Sequence, residues 1–172
     1  MALTFVALAS VTVGSGGAAN IEFTSIPGTY TDLLIKVSAR GASTGGALDR
    51  YATFQFNSST TNRSFRRLYG YGSTAGSDNG TFGYAFSMSG TTGTASTFCN
   101  AELYIPNYAG STNKSMSQDN AAEQNSSTVN FLDLTATLWE NTAAITSIKF
   151  VPDTGNFAEF TTATLYGIKN TV

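Results

Sequence analysis

Apolar and polar residues alternate with period two along most of this chain, and no stretch sustains an apolar repeat at helical spacing. The clearest alternation lies between Thr128 and Trp139. Leu132, Leu134, Ala136 and Leu138 fall on one side of an extended segment, and Asp133, Thr135 and Thr137 on the other. That is a strand with one buried face. Trp139 ends it on the side away from the leucines and is expected on an outer face, where burial between subunits would account for it. Glu140-Asn141-Thr142 breaks the run. From Ala144 to Val151, Ile148 and Phe150 point one way and Ser147 and Lys149 the other. Pro152-Asp153-Thr154-Gly155-Asn156 reads as a turn, because Pro fixes φ and Gly admits positive φ. Phe157 to Ile168, rich in Thr and aromatics, is a third strand. Three successive strands with short connections most simply form an antiparallel meander.

The same reading covers the rest of the chain. Thr4 to Val13 alternates as a strand and could pair with a neighbouring subunit, since an unpaired edge recruits another strand. Asn20 to Ile26 ends at the turn dipeptide Pro27-Gly28. Tyr30 to Arg40, Arg50 to Asn57 and Arg63 to Tyr71 are strands, with small residues from Gly41 to Asp49 as a loop. Gly72 to Gly93 is a long excursion with one or two short strands around Tyr84 and Phe86. Ser96 to Ile105 is a strand. Asn113 to Gln118, short and polar, is expected at a sheet edge, where Lys and Ser discourage further pairing. Ala121 to Ser127 leads back to the leucine strand. The pattern predicts an all-β fold: an antiparallel, jelly-roll-like sandwich of about nine or ten strands with little or no helix, shaped by the turn spacing of such folds.

At 172 residues the chain has the length of one domain, residues 1–172, with a proper core. Ser plus Thr makes up roughly a quarter of it and charged residues 12%. The net charge of −2 and the scattered Lys and Arg argue against a nucleic-acid partner. There is no His, which removes the usual catalytic triads and the commonest metal ligand. Cys99 stands alone, so no intrachain disulfide forms, and it reads as a small buried hydrophobe. The N-terminus lacks the positive region of a signal peptide, and no run approaches membrane-spanning length. No enzyme activity, cofactor or membrane partner is expected.

Two sets of residues stand out as contacts. Tyr69, Tyr71, Tyr84, Tyr108 and Trp139 could stack on sugar rings or on a partner protein if exposed. Arg63, Arg66 and Arg67 form the one small basic cluster, a candidate contact for an acidic partner surface. Asp78-Asn79-Gly80 and Asp119-Asn120 with Glu123 offer oxygens, but neither has the spacing of an EF-hand loop, and both read as turns.

Ile26-Pro27-Gly28-Thr29-Tyr30-Thr31-Asp32-Leu33, Tyr104-Ile105-Pro106-Asn107-Tyr108, Leu138-Trp139 with Ile145-Thr146-Ser147-Ile148, and Ala163-Thr164-Leu165-Tyr166-Gly167-Ile168 span nearly the whole chain. In order and spacing they resemble small β-rich virion proteins of tailed bacteriophages, many of them marine. The resemblance implies a structural protein on the virion surface and carries no catalytic residues; the lack of a signal sequence and of disulfides fits one made and assembled in the host cytoplasm. It leaves two readings. One is a capsid decoration (cement) protein, a homo-oligomer, most naturally a homotrimer, seated on the major capsid protein. The other is a tail-fibre, tailspike or adaptor component that binds a host surface glycan through the Tyr-rich segments. Decoration is favoured, because no separate attachment segment or repetitive shaft is visible.

Overall fold

The computed structural model describes residues 4–43, 50–122 and 130–169. They form twelve strands in chain order: β1 (Phe5–Thr12), β2 (Ile21–Phe23), β3 (Asp32–Ala39), β4 (Arg50–Phe56), β5 (Arg63–Tyr71), β6 (Thr74–Gly80), β7 (Tyr84–Met88), β8 (Cys99–Ile105), β9 (Lys114–Ala122), β10 (Phe131–Trp139), β11 (Ile148–Pro152) and β12 (Thr162–Ile168). No helix occurs among the described residues. Every strand pair is antiparallel.

An eight-stranded sheet, ordered β1-β12-β3-β8-β9-β10-β5-β6, packs on a four-stranded sheet, ordered β2-β11-β4-β7. If the β5–β6 and β9–β10 pairs are set aside, the other eight strands alternate between the layers except at β4 and β7, which follow one another in the small sheet and pair there. Then β1-β12-β3-β8 faces β2-β11-β4-β7, the connectivity of a jelly roll. The two remaining pairs both join the large sheet beyond β8. They meet there through β10 and β5, which pair from Phe131–Tyr71 to Trp139–Arg63. The β5–β6 loop is two residues, Gly72 and Ser73, with Gly72 at φ 53, the left-handed start that suits the twist of a tight hairpin.

The core lies between the layers. Leu33, Ile35 and Val37 from β3 and Leu103 and Ile105 from β8 meet Phe54, Phe56, Phe86 and Phe150 from the small sheet. Phe54 and Phe56 lie 4.4 Å apart, and Phe56 meets Trp139 edge-on at 5.6 Å. Period two is read directly in β9, whose residues alternate buried and exposed from Lys114 to Ala122.

Several expectations are corrected. The three strands at the C-terminal end are not a meander, because β11 crosses to the small sheet between β10 and β12. The Asn113–Gln118 segment is not an edge, since β9 sits between β8 and β10. Its Lys114 is buried, and its Nζ donates to the carbonyls of Gly110, Thr112 and Thr142. Asp78 and Asp119 lie within strands rather than turns. The N-terminal strand pairs along β12 of its own chain, with an irregularity between Ala7 and Ala9, and is the edge of the large sheet, so its other side still offers the expected pairing to a neighbouring subunit. The 44–49 part of the Gly41–Asp49 loop, Glu123 and the rest of the 123–127 lead lie outside the described residues.

The segments that carry the family resemblance converge on one structural corner. Tyr108 Oη donates to the Pro27 carbonyl, and the Tyr108 carbonyl accepts from the Ile145 amide at 3.0 Å. Asp32 accepts from Tyr104 Oη at 2.8 Å and from the Asn107 amide at 2.9 Å. The Tyr30 ring lies on Gly167, where a Cβ would stand 2.5 Å from it. These residues are framework.

Candidate functional site

The alternation in β10 is real, but its faces are the reverse of what their polarity suggests. Asp133, Thr135, Thr137 and Trp139 point inward and are buried. Leu132 and Leu134 point outward, 56% and 57% exposed. A strand turned over, or slipped by one residue, exchanges every side chain between faces. Here that exchange would expose Trp139, which shares its side with Asp133. The neighbouring strands hold the same choice: Phe65 of β5 and Met116 and Ala122 of β9 are buried on the inner side.

A connected polar network lets the inner face tolerate its carboxylate. Tyr84 Oη, from β7, donates to Asp133 Oδ2 at 2.7 Å and lies 2.6 Å from Ser87 Oγ. Gln118 Nε2 donates to Asp133 Oδ1, and Thr135 Oγ1 reaches the same oxygen at 3.4 Å. The Ser87 amide donates to Asn120 Oδ1 at 3.0 Å, and Asn120 Nδ2 donates to the Asn100 carbonyl at 2.8 Å. Burial holds the Asp133 carboxyl above the usual carboxylate range, against the opposing pull of the Tyr84 and Gln118 hydrogen bonds. Burial likewise pushes the Tyr84 hydroxyl up.

The outer face of the two added hairpins exposes Leu68, Leu132 and Leu134 together. Its residues stand in cross-strand rows. Ser77, Leu68, Leu134 and Asp119 form one row, Ala75, Gly70, Leu132 and Ala121 the next, and Asn79, Arg66, Ala136 and Ser117 a third. Leu68 is 62% exposed and directly opposite Leu134. A shallow depression of about 530 Å³ runs over the first and third of these rows, lined by Leu68, Leu134 and Ala136 with Arg66, Asn79 and Ser117. The leading row continues across the large sheet through Glu102, Lys36, Thr164 and Ser10, with Lys36 paired to Glu102, while elsewhere on that outer face Leu34 stands between Tyr104 and Tyr166 and the exposed Phe5 stands opposite Ile168.

The contact residues expected from sequence fall in three places. Tyr84, Tyr108 and Trp139 are buried and present no ring to a ligand, which corrects the expected outer position of Trp139. Tyr69 and Tyr71 lie at the end of the added hairpins, on the side facing the small sheet. Tyr69 is stacked on Phe131 at 6.1 Å, and Tyr71, 42% exposed, meets Phe131 edge-on. The three arginines do not converge. Arg63 turns inward, giving its guanidinium to the carbonyls of Phe54 and Thr60, and burial pushes its pKa down. Arg67 lies beneath the Tyr69, Tyr84 and Phe131 rings and forms a two-pronged pair with Asp78 at 2.9 and 2.6 Å. Burial, the largest single influence, opposes its charge, but Asp78 and the Tyr84 hydroxyl together outweigh it and raise its pKa. Arg66 alone faces outward.

Sequence reasoning passed over Leu68, Leu132 and Leu134, taking the leucines for core. One signal was available: Phe131 and Trp139, the two rings of the strand, share the parity of its polar residues. The face offers an apolar floor flanked by Arg66 and Asp119. Among the described residues no group of three or more Cys, Asp or Glu could hold a metal ion.

Compared with protein-family models, curated proteins and solved structures, the chain matches none.

Proposed function

We propose that this chain is a structural protein of a bacteriophage virion, which decorates the assembled head and stabilises it as a homo-oligomer seated on the major capsid protein. The observation that carries the reading is the outward leucine face of Leu68, Leu132 and Leu134 on strands added to a jelly roll. Contiguous exposed apolar surface marks a place where another surface docks. A decoration protein stabilises the shell by binding the assembled lattice more tightly than free subunits, a shift by mass action. The resemblance of four segments to phage virion proteins supports the particle as the setting. Since those segments are framework, they speak to the fold and not to the contact.

Cryo-electron microscopy of intact particles tests this. Density for the chain repeated over the head lattice is the expected result. Density confined to the tail overturns decoration and favours glycan binding, with Tyr71 as the ring to substitute first. In parallel, heads stripped of the chain should lose heat resistance and regain it when wild-type chain is added back, but not with Leu134→Asp.

A further inference from the structure

We infer that the outer face of the added hairpins is covered by a second copy of this chain, in a closed two-fold pair. The inference rests on the assembly reading above and names the partner. Three features of the face carry it.

The first is the placement of the leucines. Leu68 and Leu134 stand opposite each other across the β5–β10 pair. A two-fold axis lying in the plane of the face sets Leu134 of one copy on Leu68 of the other, so the patch covers itself. An isologous contact needs one self-complementary patch, whereas a three-fold ring needs two different complementary ones.

The second is charge. Arg66 on β5 and Asp119 on β9 are exposed and lie on opposite flanks of the leucines, one row apart. The same two-fold that stacks the leucines carries each Arg66 toward the partner's Asp119. The contact then gains two symmetric ion pairs, and a copy docked in the wrong sense meets like charges. An unrelated protein surface would have to supply this pattern independently, while a second copy carries it already.

The third is area. Four strands about 4.8 Å apart and about seven residues long present roughly 19 by 23 Å, near half of the ~800 Å² per partner in a standard interface. Pairing through this face alone is therefore weak and concentration-dependent, and crowding on a particle surface would favour it.

Sedimentation velocity on the full chain, from micromolar to millimolar concentration, tests the inference. The wild type should pass from monomer to dimer. Leu134→Asp should stay monomeric and folded, with its thermal midpoint at low concentration lowered by no more than a few degrees. Arg66→Glu and Asp119→Arg should each weaken pairing by about tenfold or more, because each reversal sets like charges together. The double variant with both reversals should recover most of the loss, which a general loss of folding would not do. A wild type that remains monomeric throughout, or sediments as a trimer, overturns the inference. So does a dimer indifferent to all three single substitutions. These outcomes separate from the head-binding reading: a monomer that still coats heads refutes the pair alone, and a dimer found on no part of the head refutes decoration alone.

Discussion

Substituting the two faces of one strand is the sharpest test of the structure, because the outcomes for opposite orientations are reversed. Trp139 is 2% exposed and packs edge-on against Phe56. Trp139→Ala removes a large buried ring from the core, a change that costs about 3–5 kcal/mol. Leu134, 57% exposed, has less than half of its surface to lose. Full burial of a leucine is worth about 1.5–3 kcal/mol, so Leu134→Ala should cost about 1 kcal/mol or less. For a chain of this size, 1 kcal/mol moves the midpoint by about 2–4 °C. Trp139→Ala should therefore lower it by roughly 6–20 °C and Leu134→Ala by no more than about 4 °C. Urea unfolding at low protein concentration, followed by Trp fluorescence for Leu134→Ala and by circular dichroism for both, measures the two values free of self-association. The slopes should stay near wild type, so that a shifted midpoint reports stability rather than a changed unfolded state. If Leu134→Ala proves as damaging as Trp139→Ala, the leucines are core, β10 faces the other way, and the proposed contact surface does not exist.

Three further outcomes follow from the same geometry. Burial raises the Asp133 carboxyl above its unfolded value of 3.8, so in the window between the two values the native state holds the proton more tightly. Stability contributed there is present at low pH and declines as pH rises through the folded value. Asp133→Asn should flatten that decline in urea titrations taken from acid to neutral pH, and equal slopes in both proteins would exclude the effect. At Gly167 a Cβ would stand 2.5 Å from the Tyr30 ring. Gly167→Ala should cost about 1–3 kcal/mol by overpacking, and an unchanged thermal midpoint would show that Tyr30 moves aside freely. Cys99 is buried, and burial pushes its thiol up to about 12. A thiol reagent at mildly alkaline pH should modify it only as fast as the chain opens, whereas rapid stoichiometric labelling of folded protein would contradict its burial.

The architecture was readable wherever alternation and burial coincide. Arg63 to Tyr71 was bounded as observed, and Ile148 and Phe150, which the alternation places on one side, are both core. Two kinds of feature were not readable. The first is the layer a strand joins: β10, β11 and β12 follow one another with short connections, yet the middle one belongs to the other sheet, and nothing local encodes that crossing. The second is the sign of a face. Period two states that a strand has two sides, and polarity ordinarily decides which goes in. In β10, Trp139 and the buried partners offered by Tyr84 and Gln118 outweigh that rule. Those partners come from β7 and β9, so the decision is made by tertiary neighbours. For the same reason Tyr84 and Tyr108, which read as candidate platforms, are held inside by Asp133 and by the Pro27 carbonyl.

The position of the leucines has a structural logic that the monomer alone does not supply. Eight jelly-roll strands cover one another four against four. The added hairpins have chiefly β7 above them, which touches β9 and β10. On β9 and β10 the inner face is fully covered and holds the Asp133 network, while on β5 and β6 the cover thins and the side chains suit a half-covered site: Arg67 paired to Asp78 and Tyr69 against Phe131. On the outer face the leucines have no cover, and each gains little for the isolated chain. Thr137 Oγ1 and Trp139 Nε1, buried without partners, show that the strand is not arranged for maximal stability of the monomer. A rule of local design broken on both faces of one strand is expected where a surface is used. The outer patch also carries its own restraint. Arg66 and Asp119 on its flanks, with Ser77 and Ser117 beside them, disfavour indiscriminate apolar contact while admitting one register. Such a border is what distinguishes a surface shaped for one partner from a merely sticky one.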